Sequence, residues 1–272
     1  MNETQRGVRD DTLLSSRKGS RVMTVDKNKY ILSINGMSKS FGRNKVLKHI
    51  NLNVKPGTIM GLMGENGAGK TTTIKLILDI IKKDSGSIRI LGRDCTSATT
   101  ILKEEIGVVL DEVGFQECLT PFQIEHIMKD IFHSWDSSLY DQYLQKFNLP
   151  NKKEFGKFSK GMKMKLGIAV ALSHHPKLLI LDEATSGLDP VMRDEILDIF
   201  NDFTRDESHA ILISSHIVSD LIMLPFFIKV TLFFSKKKTG FWKNTVSFNV
   251  QRNSFRNSIN LRSSESNTLL TM

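Results

Sequence analysis

The feature that most constrains this chain is the stretch Gly64-Glu65-Asn66-Gly67-Ala68-Gly69-Lys70-Thr71. An apolar run at 58–63 precedes it, and a helical pattern at 72–78 follows it. A Gly-x-x-x-x-Gly-Lys-Thr turn between a strand and a helix is the context a phosphate-binding loop needs. Its glycines let successive backbone N–H groups turn inward onto phosphate oxygens. The helix N-terminus adds partial positive charge at the same place. That chemistry assigns Lys70 to the β- and γ-phosphates of a nucleotide and the Thr71 hydroxyl to Mg²⁺.

A second stretch answers the first. Residues 177–183, Lys-Leu-Leu-Ile-Leu-Asp-Glu, form an apolar run ending in two carboxylates. A nearly continuous apolar strand implies a parallel sheet covered on both faces. Ligands of such sheets sit beyond the carboxyl ends of the strands, which is also where the phosphate loop opens. Asp182 therefore fits the acid that holds Mg²⁺, and Glu183 the base that polarises an attacking water. The strand expected at 210–215 ends in the same way at His216. A lone histidine is usually structural, but at this edge His216 is placed to contact the γ-phosphate.

The remaining segments fill in an α/β pattern. Alternation at 30–34, a run at 45–54 and short runs at 87–90 and 106–110 read as strands, with turns at 40–42 and 56–57. Phe41 falls on the first of those turns, where an aromatic face could stack on a base or could equally belong to the core. From 121 to 149 apolar residues recur at helical spacing (Ile124, Ile127, Met128, Ile131, Tyr143, Phe147), which reads as a helical lobe of about 112–172 inserted between strands. Its Met and aromatic stripe reads as core. Pro190 starts a further helix.

Composition excludes several classes. With 272 residues, 40% of them hydrophobic, the chain suits one medium α/β domain or a domain carrying an inserted lobe. Cys95 and Cys118 form neither a disulfide framework nor a metal spacing, as fits a reducing cytosol. The first 22 residues lack the apolar centre of a signal peptide, and Met23 is an alternative start. No run reaches the ~18 apolar residues of a membrane span, and the longest candidate, 221–234, is broken by Pro225 and Lys229. The net charge of +9 is uneven: residues from Leu221 onward hold eight Lys/Arg against one acid, Glu265, a net +7. The first 220 residues are close to neutral, so no nucleic acid is expected as a partner.

Taken in order, the phosphate loop, the helical insertion, Phe158-Ser159-Lys160-Gly161-Met162, the acidic strand, Ser186-Gly187-Leu188-Asp189 and His216 resemble the ATP-binding subunit of an ABC transporter. The resemblance covers roughly 30–220, and Phe158 to Met162 with Lys163-Met164-Lys165 is most similar to the bacterial type 2 exporter ATPases. It implies a P-loop NTPase core with a mostly parallel sheet, an N-terminal antiparallel β subdomain and an inserted helical subdomain. By the same resemblance Phe41 stacks on adenine, and Gly64 to Thr72 form the Walker A loop. Asp182 and Glu183 form the Walker B pair. Ser159 and Gly161 cap the γ-phosphate of ATP held by the opposite subunit, Asp189 is the D-loop acid, and His216 is the switch histidine. The implied assembly is a homodimer or heterodimer of ATP-binding subunits that closes on two Mg-ATP. Its helical lobe docks on an integral membrane permease subunit at the cytoplasmic face.

Two motifs depart from the family pattern. Lys160 and Met162 stand at the third and fifth places of a signature that usually reads Leu-Ser-Gly-Gly-Gln. Asp111 stands where the family usually has Gln, as a candidate metal and lobe-coupling residue. Soluble relatives acting on ribosomes or DNA normally carry two cassettes or a long coiled coil, whereas this chain has one cassette and a short lobe.

After Asp220 the resemblance stops. Residues 221–272 contain seven Phe, Lys236-Lys237-Lys238, many Asn and Ser, and one acid, so they read as an aberrant, disordered basic tail. Reading the codons for 238–250 from each third base allows Asp-Gly-Leu-Leu-Glu-Lys-Tyr-Gly-Val-Leu-Gln-Cys, an ending such ATPases have. A deletion just after the codons for Asp220 is thus expected to have shifted the frame, leaving a partly functional or inactive copy. The rival reading is a basic, aromatic tail that touches anionic lipid. Residues 1–29 read as a disordered extension.

Overall fold

The computed structural model describes residues 29–95, 103–111, 113–184 and 188–215, together with two short strands at 228–232 and 246–250. An antiparallel sheet comes first. Strands β1 (Leu32–Phe41) and β2 (Asn44–Val54) turn at 42–43, and β4 (Ser85–Ile90) and β5 (Arg93–Asp94) complete the order β2-β1-β4-β5. The second sheet runs β10-β9-β3-β8-β7-β6. Its members are β3 (Thr58–Met63), β6 (Ile106–Val109), β7 (Leu178–Asp182), β8 (Ala210–Ser215), β9 (Ile228–Leu232) and β10 (Val246–Val250). All its pairings are parallel except β10 with β9.

The apolar runs of the central strands follow from burial on both faces. Met60, Leu62, Leu178, Ile180 and Leu212 enter the core shared with the antiparallel sheet, while Ile59, Met63, Leu179, Leu181, Ile211 and Ile213 enter the core shared with the helices. Period-two alternation sends successive side chains to opposite faces, so a two-faced sheet needs apolar residues at both.

Helix α1 (Lys70–Ile77) follows the glycine-rich loop. The insertion supplies α2 (Pro121–Ile131), α3 (Ser137–Lys146) and α4 (Lys160–Leu172), and α5 (Pro190–Thr204) follows β7. Their starts are written in the sequence. Thr120 and Gln123 form a capping box before α2. Asp136, Ser159 and Asp189 accept the N–H of Leu139, Met162 and Met192 at the starts of α3, α4 and α5. Pro121 and Pro190 occupy first-turn positions.

The lobe stripe is core as expected at Ile124, Leu144 and Phe147, and Tyr140, outside the expected stripe, is buried with them, but Ile127 and Ile131 stand on the surface at 41% and 51% exposure. Helix α2 is an outer helix that buries only a narrow stripe. A second difference lies in the region read as a disordered tail, where residues 228–232 and 246–250 are strands of the main sheet. Ile228-Lys-Val-Thr-Leu232 is short and rich in β-branched residues, and β3 offers it an open edge for parallel pairing. Among the described residues no helix is long and apolar enough to cross a membrane.

Candidate functional site

Parallel pairing delivers four strand ends to one edge. Strand β3 runs at Met63 into the glycine-rich loop, β7 ends at Asp182, β8 at Ser215, and β6 leads to Asp111. Strand β8 lies between β3 and β7, with Met63 opposite Ser215 and Asp182 opposite Ser214.

The loop is shaped by glycine where it must be. Gly67 and Gly69 take φ of 81° and 104°, conformations that side chains disfavour. A Cβ on Gly69 would stand 2.6 Å from Leu47 Cδ2, so a side chain there would also push Leu47 of β2 aside. Gly69 caps α1 with no side-chain acceptor on the first turn. Those N–H groups therefore point at the loop with no side chain of their own to satisfy them, an arrangement that suits an anion. Gly64 is half-buried, Glu65 and Asn66 are exposed, Ala68 is buried, and Thr71 and Thr72 follow on the first turn of α1.

Lys70 is 5% exposed, and its Nζ donates to the carbonyls of Gly64 at 2.7 Å and Glu65 at 3.3 Å. It also lies 3.4 Å from Glu183 Oε1. The structure thus brings together the two residues that the sequence assigns to phosphate and to water. Asp182 is buried, and its Oδ1 accepts the Ser214 hydroxyl at 2.5 Å. Glu183 has φ +54°, a left-handed backbone rare outside glycine, and its N–H donates to Ser214 Oγ at 3.0 Å.

The other predicted residues fall into groups. Phe41 ends β1 at 51% exposure with Lys39 Nζ 5.2 Å from its ring centre, which removes the core alternative and leaves the ring half-exposed at the surface. Ser159 and Asp189 are exposed and start α4 and α5. Gly161 is buried, and a Cβ there would stand 2.5 Å from Met192 Sδ, so its close approach is to α5 of the same chain. Asp111 is exposed and pairs with Lys160 Nζ at 3.5 Å. The two departures from the family pattern therefore meet, tying the segment after β6 to the start of α4. His216, with Ser186 and Gly187, lies outside the described residues.

Sequence reasoning missed the Asp111–Lys160 pair and the part played by Ser214. A serine closing the run Ala210-Ile-Leu-Ile213 was the available signal, since a buried hydroxyl needs a partner.

Comparison with known proteins agrees with this geometry. Residues 47–186 match the family model described as ABC transporter. The bacitracin transport ATP-binding protein BcrA of Bacillus licheniformis is 40% identical over 196 residues, covering 71% of this chain and 64% of the relative. This chain thus spans less than two thirds of that relative's length. The lantibiotic transport ATP-binding protein SrtF of Streptococcus pyogenes is 36% identical over 200 residues, covering 73% of this chain and 85% of the relative. A solved ATP-binding subunit of an ABC transporter superposes with a TM-score of 0.67 at 26% identity, covering 74% of this chain and 85% of its own.

Proposed function

This chain belongs to the ABC transporter family, and from that premise we propose that it hydrolyses Mg-ATP as a dimer and drives export through a separate membrane subunit. The convergence of Lys70 and Glu183, 3.4 Å apart beside Asp182, carries the reading. A cation and a carboxylate in contact at one sheet edge supply charge for a phosphoryl group and a base for the water that attacks it. Such a base contributes about 10²–10⁴-fold to a rate.

The remaining roles follow. The loop from Gly64 to Thr72 cradles the phosphates, and Phe41 stacks on the adenine. Ser159, Gly161 and Asp189 serve the ATP held across the dimer. His216 contacts the γ-phosphate. The oxygens of Thr71 and Asp182 suit Mg²⁺, a hard cation that takes one or two protein ligands and completes its shell with water and substrate phosphates. When bound, the ion neutralises charge on the β- and γ-phosphates. Asp111 joins the metal ligands only by exchanging Lys160 for the ion.

The working unit is residues 30–220, with 1–29 an extension and 221–272 an aberrant tail that contributes two strands. The helical lobe docks on an integral membrane permease, which holds the chain at the cytoplasmic face. The relatives are named for bacitracin and lantibiotic transport, so these are the cargoes to test first. The second reading, a frameshifted remnant, rests only on the abrupt change of composition after Asp220. Phosphate release by the purified chain with Mg-ATP, followed by cargo tolerance in cells that also express a membrane subunit, tests the first. A chain that folds and binds ATP without turning it over leaves the remnant reading. Sequencing the gene across the codons for Asp220 and finding no lost frame removes that one.

A further inference from the structure

Strand β8 separates the strand that feeds the phosphate loop from the strand that ends in the two carboxylates. Ser214 sits on β8 opposite Leu62 on one side and Asp182 on the other. It is wholly buried, as are Ala210 to Ile213 before it. A hydroxyl in such surroundings is costly unless satisfied. This one works in both directions. Ser214 Oγ donates to Asp182 Oδ1 at 2.5 Å, the length of a charge-assisted O–H···O⁻ bond. It also accepts the N–H of Glu183 at 3.0 Å, and the Ser214 carbonyl lies 3.2 Å from the same nitrogen.

Both contacts bear on groups that need fixing. A carboxylate held through one oxygen keeps one rotamer and leaves its second oxygen for another ligand. Glu183 occupies φ +54°, and a non-glycine residue stays in a sparsely populated backbone region only where its neighbours over-determine it. The two acceptors that Ser214 presents to the Glu183 N–H are that restraint. From the turn they hold, the Glu183 carboxylate reaches Lys70.

We infer that Ser214 is a positioning residue for this site: it orients Asp182 toward the metal of Mg-ATP and holds the backbone turn that aims Glu183. The inference rests on the Mg-ATP reading above. It acts through Asp182 and Glu183 and requires no contact between Ser214 and the nucleotide.

The test compares the whole chain with Ser214→Ala and Ser214→Thr, since threonine keeps the hydroxyl and suits a strand. Titration calorimetry with the non-hydrolysable imido analogue of ATP is run at increasing Mg²⁺ and again in EDTA, and turnover is measured separately. Loss of a residue that orients a metal ligand typically costs about 10–100-fold in metal affinity or activity. Ser214→Ala is therefore expected to raise the half-saturating Mg²⁺ about 10-fold or more and to lower kcat by a similar factor. Its affinity for the analogue in EDTA should stay at the parent value, and Ser214→Thr should restore both losses. If the alanine chain does not melt cooperatively, Ser214→Cys, isosteric with a weak donor, takes its place with the same direction expected. An unchanged Mg²⁺ dependence in Ser214→Ala overturns the inference, as does a threonine variant as impaired as the alanine one. A parent chain whose analogue affinity ignores Mg²⁺ removes the Mg-ATP reading itself, and this inference with it.

Discussion

Lys70 and Glu183 show how one contact can serve two purposes. With Lys70 Nζ 3.4 Å from the carboxylate and bonded to two loop carbonyls, the lysine is held in place at the mouth of the loop. Lys70→Ala should weaken ATP binding by at least about tenfold, because a phosphate contact from a nearly buried cation is worth roughly 1.5–3 kcal/mol. Calorimetry that returns the parent affinity would remove Lys70 from the phosphates. Glu183→Gln keeps the side chain's shape and removes its charge. Turnover should fall by about 10²–10⁴-fold while ATP binding stays and a closed dimer accumulates on gel filtration. Steady hydrolysis by that variant would deny Glu183 the role of base. Both residues were legible from type and spacing alone, since a glycine-rich turn and a strand ending in acids each carry a local pattern. Ser214 was not, because its importance lies in facing Asp182 across a register that no local pattern encodes.

Elements were legible where local chemistry sets them. The first-turn proline and the two-faced apolar runs placed the start of α5 and the strands β3, β7 and β8 close to their observed bounds, whereas helical spacing over 121–149 marked one lobe that the structure divides into α2 and α3. What sequence could not give was how the inserted lobe is stitched to the sheet. The answer is Glu104, just before β6. Its carboxylate accepts the His133 N–H at 3.0 Å, lies 3.1 Å from His133 Nδ1, and accepts the Ser134 hydroxyl at 2.8 Å. These bonds join the α2–α3 connection to the body. Burial pushes the Glu104 pKa up, but the hydrogen bonds from His133 and Ser134 outweigh it and hold the group at about 2. A carboxylate depressed in the folded state stabilises above its unfolded pKa of about 4.3, and that stability is lost as pH falls toward the folded value. At pH 7 Glu104→Gln should therefore cost about 1–2 kcal/mol after allowance for solvent, a drop of roughly 2–8 °C in Tm. The gap between variant and parent should close as the melts are repeated from pH 5 down toward pH 2. A gap that stays constant over that range would mean the charge of Glu104 does not hold the lobe.

At the scale of the molecule, the open question is how far the sheet depends on residues beyond Asp220. Composition marked 221–272 as foreign to what precedes it, yet β9 pairs with Ile59 to Met63 of β3, and β10 covers β9. Strands this short are set by a partner far away in sequence, which is why no periodicity announced them. Without them, β3 becomes the sheet's edge, and unpaired N–H and C=O groups beside buried apolar side chains favour association between chains. The full chain should therefore melt cooperatively, and a chain ending at Asp220 should melt lower and aggregate sooner. Mg-ATP adds an independent axis. A ligand that binds only the folded state at ~100 times its Kd contributes about 2.7 kcal/mol, or roughly 5–11 °C for a domain of this size. If both chains show that shift from different starting points, the ATP site is built by residues 30–220 and the two outer strands only stabilise it. If the shift is lost with the strands, the phosphate loop at the end of β3 depends on β9 for its shape, and the tail has become part of the site whatever its origin.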